Sequence, residues 1–100
     1  MPNSPVTVIA IFKAKQGRDS ELKQELLKLL SPTRAEDGCI NYDLHQASDG
    51  AGNFLFHENW TTREALDKHL ETPHLKAFLA RSNELLGQPL EITFWNRIDQ

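Results

Sequence analysis

The sequence predicts an α+β fold in which four antiparallel strands form one sheet and helices cover one of its faces. Residues 6–14 are apolar and rich in β-branched side chains, as in a strand buried on both faces. Two alternating segments, 39–46 and 53–60, flank a turn with two glycines, which is typical of a hairpin. Residues 90–98 alternate again after stretches of helical period. This order gives a ferredoxin-like split βαββαβ arrangement.

The first helical segment joins the first strand to the hairpin. Leucines recur at helical spacing between residues 22 and 30, and Asp19 or Ser20 is expected to cap the helix. Pro32 interrupts this pattern, so the helix is expected either to kink there or to begin a fresh turn. Gly38 is expected to end the helix as a C-terminal cap.

The second helical segment follows the hairpin and is expected to contain two helices. Thr61 and Glu64 fit a capping box at the start of the first helix. Thr72 is expected to cap the second helix, with Pro73 at its first position, and Gly87 to end it.

Alternation also predicts which strand residues share a face. In the second strand, Ile40, Tyr42 and Leu44 are expected on one face and Asn41, Asp43 and His45 on the other. In the third strand, Phe54, Phe56, Glu58 and Trp60 are expected opposite Leu55, His57 and Asn59.

Both faces of the predicted sheet carry apolar side chains. Neighbouring pairs such as Ile9 beside Val8 and Trp95 beside Phe94 cannot both point at the helices. A second copy of the chain is the simplest cover for the other face. The sequence therefore predicts a homodimer joined through the open sheet face.

Length and composition exclude several classes of protein. One hundred residues suit one domain, expected over 6–100 after a flexible leader at 1–5. A net charge of −3 without a basic patch argues against nucleic-acid binding. No apolar run approaches the roughly 20 residues of a membrane helix, and no signal peptide is evident, so a cytoplasmic location is expected. Cys39 is the only cysteine, which excludes an internal disulfide.

Residue types suited to chemistry concentrate between Phe54 and Phe78. His69 lies on an apolar helical stripe, where a histidine bonded to backbone is the alternative to a functional one. His74 lies in the first turn of the next helix, where it can instead close the junction by bonding backbone. The two histidines are five residues apart with a proline between them, unlike a helical zinc pair, so no metal is expected.

Three further residues have a functional and a structural interpretation. Glu58 shares its face with aromatic residues, so it needs a partner such as His69, His74 or Arg97. Trp60 ends its strand, where core packing is the alternative to ligand binding. Asn41 is a poor strand former and is expected to make a specific hydrogen bond, either structural or to a ligand.

Two segments of the chain resemble the antibiotic biosynthesis monooxygenase family, especially its small quinol-monooxygenase-like bacterial members. They are GCINYDLH at 38–45 and FLFHENWTTREALDKHLETPHLKAF at 54–78. The second segment contains the pattern E-x-W…A-x-x-x-H-x-x-T-P-H. The likeness extends over nearly the whole chain.

The resemblance implies a dimeric α+β barrel and an oxygenase that needs no metal, flavin or haem. Such enzymes oxidise electron-rich quinols, naphthols or polyketide aromatics with dioxygen, and the protein binds the ring and favours its anion. His69 or His74 would then take the phenolic proton or stabilise the phenolate, and Asn41 would hydrogen-bond a ring oxygen. Trp60, Tyr42 and Phe56 would line an aromatic slot, where Glu58 would orient a histidine.

The resemblance leaves other functions open. The fold and a similar T-P-H junction also occur in isomerases of a phosphorylated autoinducer-type sugar, which would need phosphate contacts from Arg34, Arg81 or Arg97. Haem-degrading relatives share the fold, but the segment TPHLKAF offers no clear axial ligand. A non-catalytic dimeric module that binds a small molecule is the alternative from another functional class.

Overall fold

Four antiparallel strands form one sheet in the order β2-β3-β1-β4. A computed structural model describes residues 5–99, so the expected leader lies outside the described residues except for Pro5, which is exposed. The strands are β1 (Val6–Lys13), β2 (Cys39–Gln46), β3 (Asn53–Trp60) and β4 (Glu91–Trp95). The predicted hairpin is confirmed as β2 and β3, which pair along almost their whole length.

The described residues also form five short helices, three of them between β3 and β4. The helices are α1 (Asp19–Leu27), α2 (Leu30–Arg34), α3 (Arg63–His69), α4 (Pro73–Ala80) and α5 (Ser82–Leu85). This confirms the predicted α+β, ferredoxin-like fold class. None of these helices is long and apolar enough to cross a membrane.

The core lies between the helices and one face of the sheet. Alternate residues of β1 and β3 point into it, as the period of two requires. Its buried apolar members from the sheet are Val8, Ala10, Phe12, Tyr42, Phe54, Phe56 and Trp60, and those from the helices are Leu22, Leu26, Leu66, Leu75, Phe78 and Leu85.

The first helical segment differs from its prediction at its two ends. α1 begins at Asp19, and Arg18 precedes it without a side-chain cap. The helix is interrupted before Pro32, as one of the two predicted alternatives had it. Pro32 lies in the first turn of the new helix α2, where a missing N–H removes no helical bond. α2 ends at Arg34, so Gly38 is a turn residue with a φ of +86° rather than the cap of a helix.

The second helical segment is displaced by one residue at its start. Thr62, not Thr61, caps α3, because Thr62 Oγ1 accepts from the Ala65 N–H at 3.1 Å. Thr72 and Pro73 begin α4 as predicted. The expected continuous helix is interrupted at Arg81, after which α5 occupies one turn.

A bulge changes the predicted alternation of β2. Cys39 pairs with Trp60, but the next pair is Asn41 with Asn59, so Ile40 is an extra residue. Ile40 is therefore 54% exposed rather than part of the core. β4 is shorter than predicted, because pairing ends at Trp95.

Candidate functional site

His69 and His74 converge on one oxygen of Glu36. His69 Nδ1 lies 2.9 Å from Glu36 Oε2, and His74 Nε2 lies 2.7 Å from the same oxygen. The His69 and Glu36 side chains are 3% and 14% exposed, while that of His74 is 23% exposed. The cluster thus reaches from the core to the surface.

Three separate elements position these groups. Glu36 lies in the turn between α2 and β2, His69 ends α3, and His74 is the second residue of α4. Thr72 fixes the helix junction, since its hydroxyl donates to the His69 carbonyl at 2.8 Å and accepts from the Leu75 N–H at 3.4 Å. The T-P-H junction therefore brings both imidazoles to the same carboxylate.

The carboxylate determines which ring nitrogens carry protons. An ionised carboxylate only accepts hydrogen bonds, so Nδ1 of His69 and Nε2 of His74 must each carry a hydrogen when they bond to Glu36. Burial lowers the pKa of His69, and this outweighs the opposite effect of the Glu36 carboxylate. A neutral His69 then keeps a lone pair on Nε2, where it can accept a proton.

Aromatic rings surround His69 on the core side. The Trp60 ring lies 4.7 Å from it and tilted by 33°, and the Tyr42 ring meets it edge-on at 5.5 Å. Phe56 stacks on Tyr42 at 4.1 Å. These three rings are at most 1% exposed, so the predicted aromatic slot is filled by its own side chains in the structure. Burial also raises the pKa of the Tyr42 phenol.

Glu58 is buried beneath this cluster, at 4% exposure. Its Oε1 accepts from the Trp60 Nε1–H at 2.9 Å, so its partner is Trp60 rather than the predicted His69, His74 or Arg97. Burial, helped by the negative charge of Glu36, raises the pKa of Glu58 to about 7. Glu58 thus anchors the indole that packs against His69, and does not itself orient a histidine.

Asn41 lies on the opposite face of the sheet from the two histidines. Its amide nitrogen donates to Asp43 Oδ2 and to the His57 carbonyl, each at 3.0 Å. Its oxygen accepts from Asn59 Nδ2 at 2.8 Å, and Asn59 in turn accepts from Thr7. The structure therefore places Asn41 in a polar network on the open face and does not bring it to the other predicted site residues.

The three arginines considered as phosphate contacts are occupied elsewhere. Arg34 pairs with Asp43 at 3.4 Å and donates to the Tyr42 carbonyl. Arg97 pairs with Asp99 at 2.7 Å. Arg81 is held by glutamates of α1 and α5, which are Glu21, Glu25 and Glu84.

Glu36 is the site residue that sequence reasoning missed. It is 33 positions from His69 and 38 from His74 along the chain, so no spacing rule links them. The only sequence signal is its position two residues before GCINYDLH, a segment that resembles the family.

Comparison with known proteins agrees with this arrangement of elements. Residues 5–81 match the family model described as antibiotic biosynthesis monooxygenase. A Mycobacterium tuberculosis relative named "Putative monooxygenase Rv0793" is 40% identical, over 97% of this chain and 95% of its own. The solved structure of Rv0793 superposes with a TM-score of 0.90 at 39% identity, covering 97% of this chain and 98% of that one. PA3566 from Pseudomonas aeruginosa superposes with a TM-score of 0.89 at 38% identity, covering 99% of both chains.

Proposed function

Because the chain belongs to the antibiotic biosynthesis monooxygenase family, we propose that it is a monooxygenase that oxidises small aromatic substrates of the quinol type with dioxygen and without a cofactor. The observation that carries the proposal is the Glu36 carboxylate held between two imidazoles beside a group of aromatic rings. This arrangement suits the removal of a phenolic proton.

The proposed chemistry begins with that proton. A phenolate transfers an electron to dioxygen far more readily than a neutral phenol does, so deprotonation is the step that the protein must assist. His69 accepts the proton at Nε2, while Glu36 holds Nδ1–H and stabilises the imidazolium that forms. His74, bonded to the same carboxylate and partly exposed, holds that carboxylate in position for His69.

Substrate binding requires the aromatic cluster to open. Tyr42, Trp60 and Phe56 fill the space next to His69, and we propose that a planar ring is admitted between them when the α3–α4 junction moves. Glu58 supports this slot through its bond to the indole. Closure over the bound ring then excludes water from the anion.

Oxygen uptake with a panel of quinols and naphthols in metal-free buffer tests the proposal. The wild-type protein is expected to consume oxygen, and His69→Ala to lose roughly a hundredfold or more in rate, as when a general base is removed. His74→Ala is expected to lose rate as well, because Glu36 is then held by one imidazole only. His45→Ala is the matched control, because His45 is exposed on β2 and outside the cluster.

Two other outcomes of the oxygen-uptake assay would contradict the proposal. Unchanged rates in both histidine variants would refute the proposed base. No uptake with any aromatic substrate, together with isomerisation of a sugar phosphate or with binding alone, would assign the protein to one of the alternative functions. The three arginines considered for phosphate contacts are each paired with a carboxylate in the described structure, which favours the oxygenase over the isomerase.

We also propose that two copies associate through the open sheet face. That face carries Trp95, which is 58% exposed, and the half-buried Ile9, Ile11 and Leu55. A groove of about 930 Å³ lies there, lined by residues that include Thr7, Asn41, His57 and Trp95. The Asn41 amide is hydrogen-bonded at both its nitrogen and its oxygen within the chain, so covering this face leaves that amide with partners.

A further inference from the structure

We infer that Glu36, His69 and His74 form a binding site for a divalent transition-metal cation, with Zn²⁺ as the probe. Their three donor atoms lie within 4.8 Å of one another. This inference goes beyond the proposed oxygenase, which works without a metal. It concerns a metal ion that would bind to the same three side chains.

The ligand set has the right chemistry for such an ion. Two imidazoles and one carboxylate are a recurring ligand set of zinc and of non-haem iron, with a free position for water or substrate. The donors come from three different elements, so the site is formed only in the folded chain. The Thr72 contacts fix the helix junction that carries the two histidines.

The observed distances need only a small adjustment. Zinc bonds imidazole nitrogen and carboxylate oxygen at about 2.0–2.2 Å, which places neighbouring ligand atoms roughly 3.3 Å apart in tetrahedral geometry. The two nitrogens now lie 2.9 and 2.7 Å from Glu36 Oε2. An outward shift of the carboxylate by about half an ångström brings the two nitrogen–oxygen distances to this value, and the two imidazole nitrogens, which lie within 4.8 Å of each other, close on the ion. Glu36 can make this shift because it belongs to a turn.

Charge and burial favour a cation here. Glu36 places a carboxylate in surroundings that are largely buried, where a negative charge needs a partner. A divalent ion compensates that charge, and each ring turns its lone pair to the ion by moving its proton to the other nitrogen. The partial exposure of His74 leaves an entry path and room for a water ligand.

Equilibrium dialysis of the metal-stripped, tag-free protein against Zn²⁺ tests the inference. We expect about one ion per chain, and His74→Gln and Glu36→Gln to weaken binding by at least roughly a hundredfold, more than the loss of an outer-shell partner does. His45→Gln and His57→Gln are matched controls that should bind as the wild type does, since both histidines lie outside the cluster.

A measurement on the unmutated protein makes the test independent of folding defects. In ¹⁵N spectra of the imidazoles, Zn²⁺ should shift Nδ1 of His69 and Nε2 of His74 and leave His45 and His57 unchanged. Zinc bound at other histidines, or equal binding by the wild type and both cluster variants, would overturn the site. Because oxygen uptake is measured in metal-free buffer, either proposal can fail while the other stands.

Discussion

At the scale of single residues, Glu36 controls the protonation of the whole candidate site. One of its oxygens bonds to both imidazoles, so removing the carboxylate leaves two ring N–H groups without an acceptor at once. The same oxygen is shared by the proposed proton transfer and by the inferred cation site. A bound cation therefore occupies the His69 Nδ1–Glu36 contact that supports the base, and Zn²⁺ is expected to inhibit oxidation.

Glu58 makes the stability of the fold depend on pH. Its pKa of about 7 lies above the ordinary 4.5. Between these two pH values the Glu58 carboxyl therefore keeps its proton in the folded chain and releases it in the unfolded chain. Stability is therefore lost as the pH rises from about 4.5 to 7. In denaturant titrations in metal-free buffer, the wild type should lose about 3 kcal/mol relative to Glu58→Gln across this range.

The design of this comparison isolates the carboxyl group. Glutamine keeps an oxygen that accepts from Trp60. The lowered pKa of His69 makes stability rise with pH, but it does so in both proteins and cancels in their difference. Glu64→Gln is the control, because that side chain is 80% exposed and should change nothing. If wild type and Glu58→Gln showed parallel stability between pH 4 and 8, the buried carboxyl would have an ordinary pKa.

Residue types predicted part of this site and could not predict the rest. His69, Trp60 and Glu58 were identifiable because a strand end, a capped junction and apolar periodicity lie in one segment. The predicted partner of Glu58 was wrong. Trp60 lies two residues away on the same face, and its indole N–H donates to the carboxylate. Glu36 meets the histidines only through the tertiary fold.

At the scale of secondary-structure elements, strands were predicted more accurately than helix ends. The bounds of β2 and β3 were predicted correctly, since alternation and a glycine turn define both. The start of α3 was displaced because Thr61 and Thr62 are both good caps, and pairing of the Thr61 N–H with the Gly38 carbonyl decides between them. The β2 bulge has no sequence signal that alternation can detect.

The turn before β2 depends on Gly38, because it packs directly on α3. Gly38 has a φ of +86°, and a Cβ there would lie 2.5 Å from the Ala65 Cβ and 2.8 Å from Thr61 Oγ1. Gly38→Ala should destabilise the protein by about 3 kcal/mol, from backbone strain together with the clash. Gly17→Ala is a matched control, since Gly17 has a φ of +82° and open space around it.

Chemical denaturation of Gly17→Ala separates the backbone strain from the steric clash. Gly17→Ala should lose only about 1 kcal/mol, which is the cost of the left-handed backbone alone. Equal losses in the two variants would show that the contact between this turn and α3 is not tight. Such a result would also weaken the case that Glu36 is held firmly at the histidines.

At the scale of the whole molecule, the two faces of the sheet carry different groups of side chains. Its helix-covered face carries Glu58 and Trp60, which pack beneath the histidine cluster, while its open face carries the Asn41 network and uncovered apolar side chains. Strand alternation enforces this division, since neighbouring residues of one strand face opposite sides. Changes on the open face should therefore alter association without touching the histidines.

Trp95 provides the sharpest test of association. It is the most exposed aromatic side chain among the described residues and stands on the open face opposite Thr7. If two copies meet there, Trp95→Glu should weaken the dimer by roughly thirtyfold or more, as loss of a buried aromatic anchor does. Sedimentation at micromolar concentration should then show a dimeric wild type and a largely monomeric variant.

A substitution on the helical side completes that test. Leu27 is 40% exposed on α1, so Leu27→Glu adds the same charge to an apolar site away from the open face and should leave the dimer intact. A monomeric wild type would refute association through this face, and dissociation by Leu27→Glu alone would move the interface to the helices. The fold needs no second copy to surround the histidine cluster, because Glu36, His69 and His74 all come from one chain. Monomeric Trp95→Glu should therefore still bind Zn²⁺ as the wild type does.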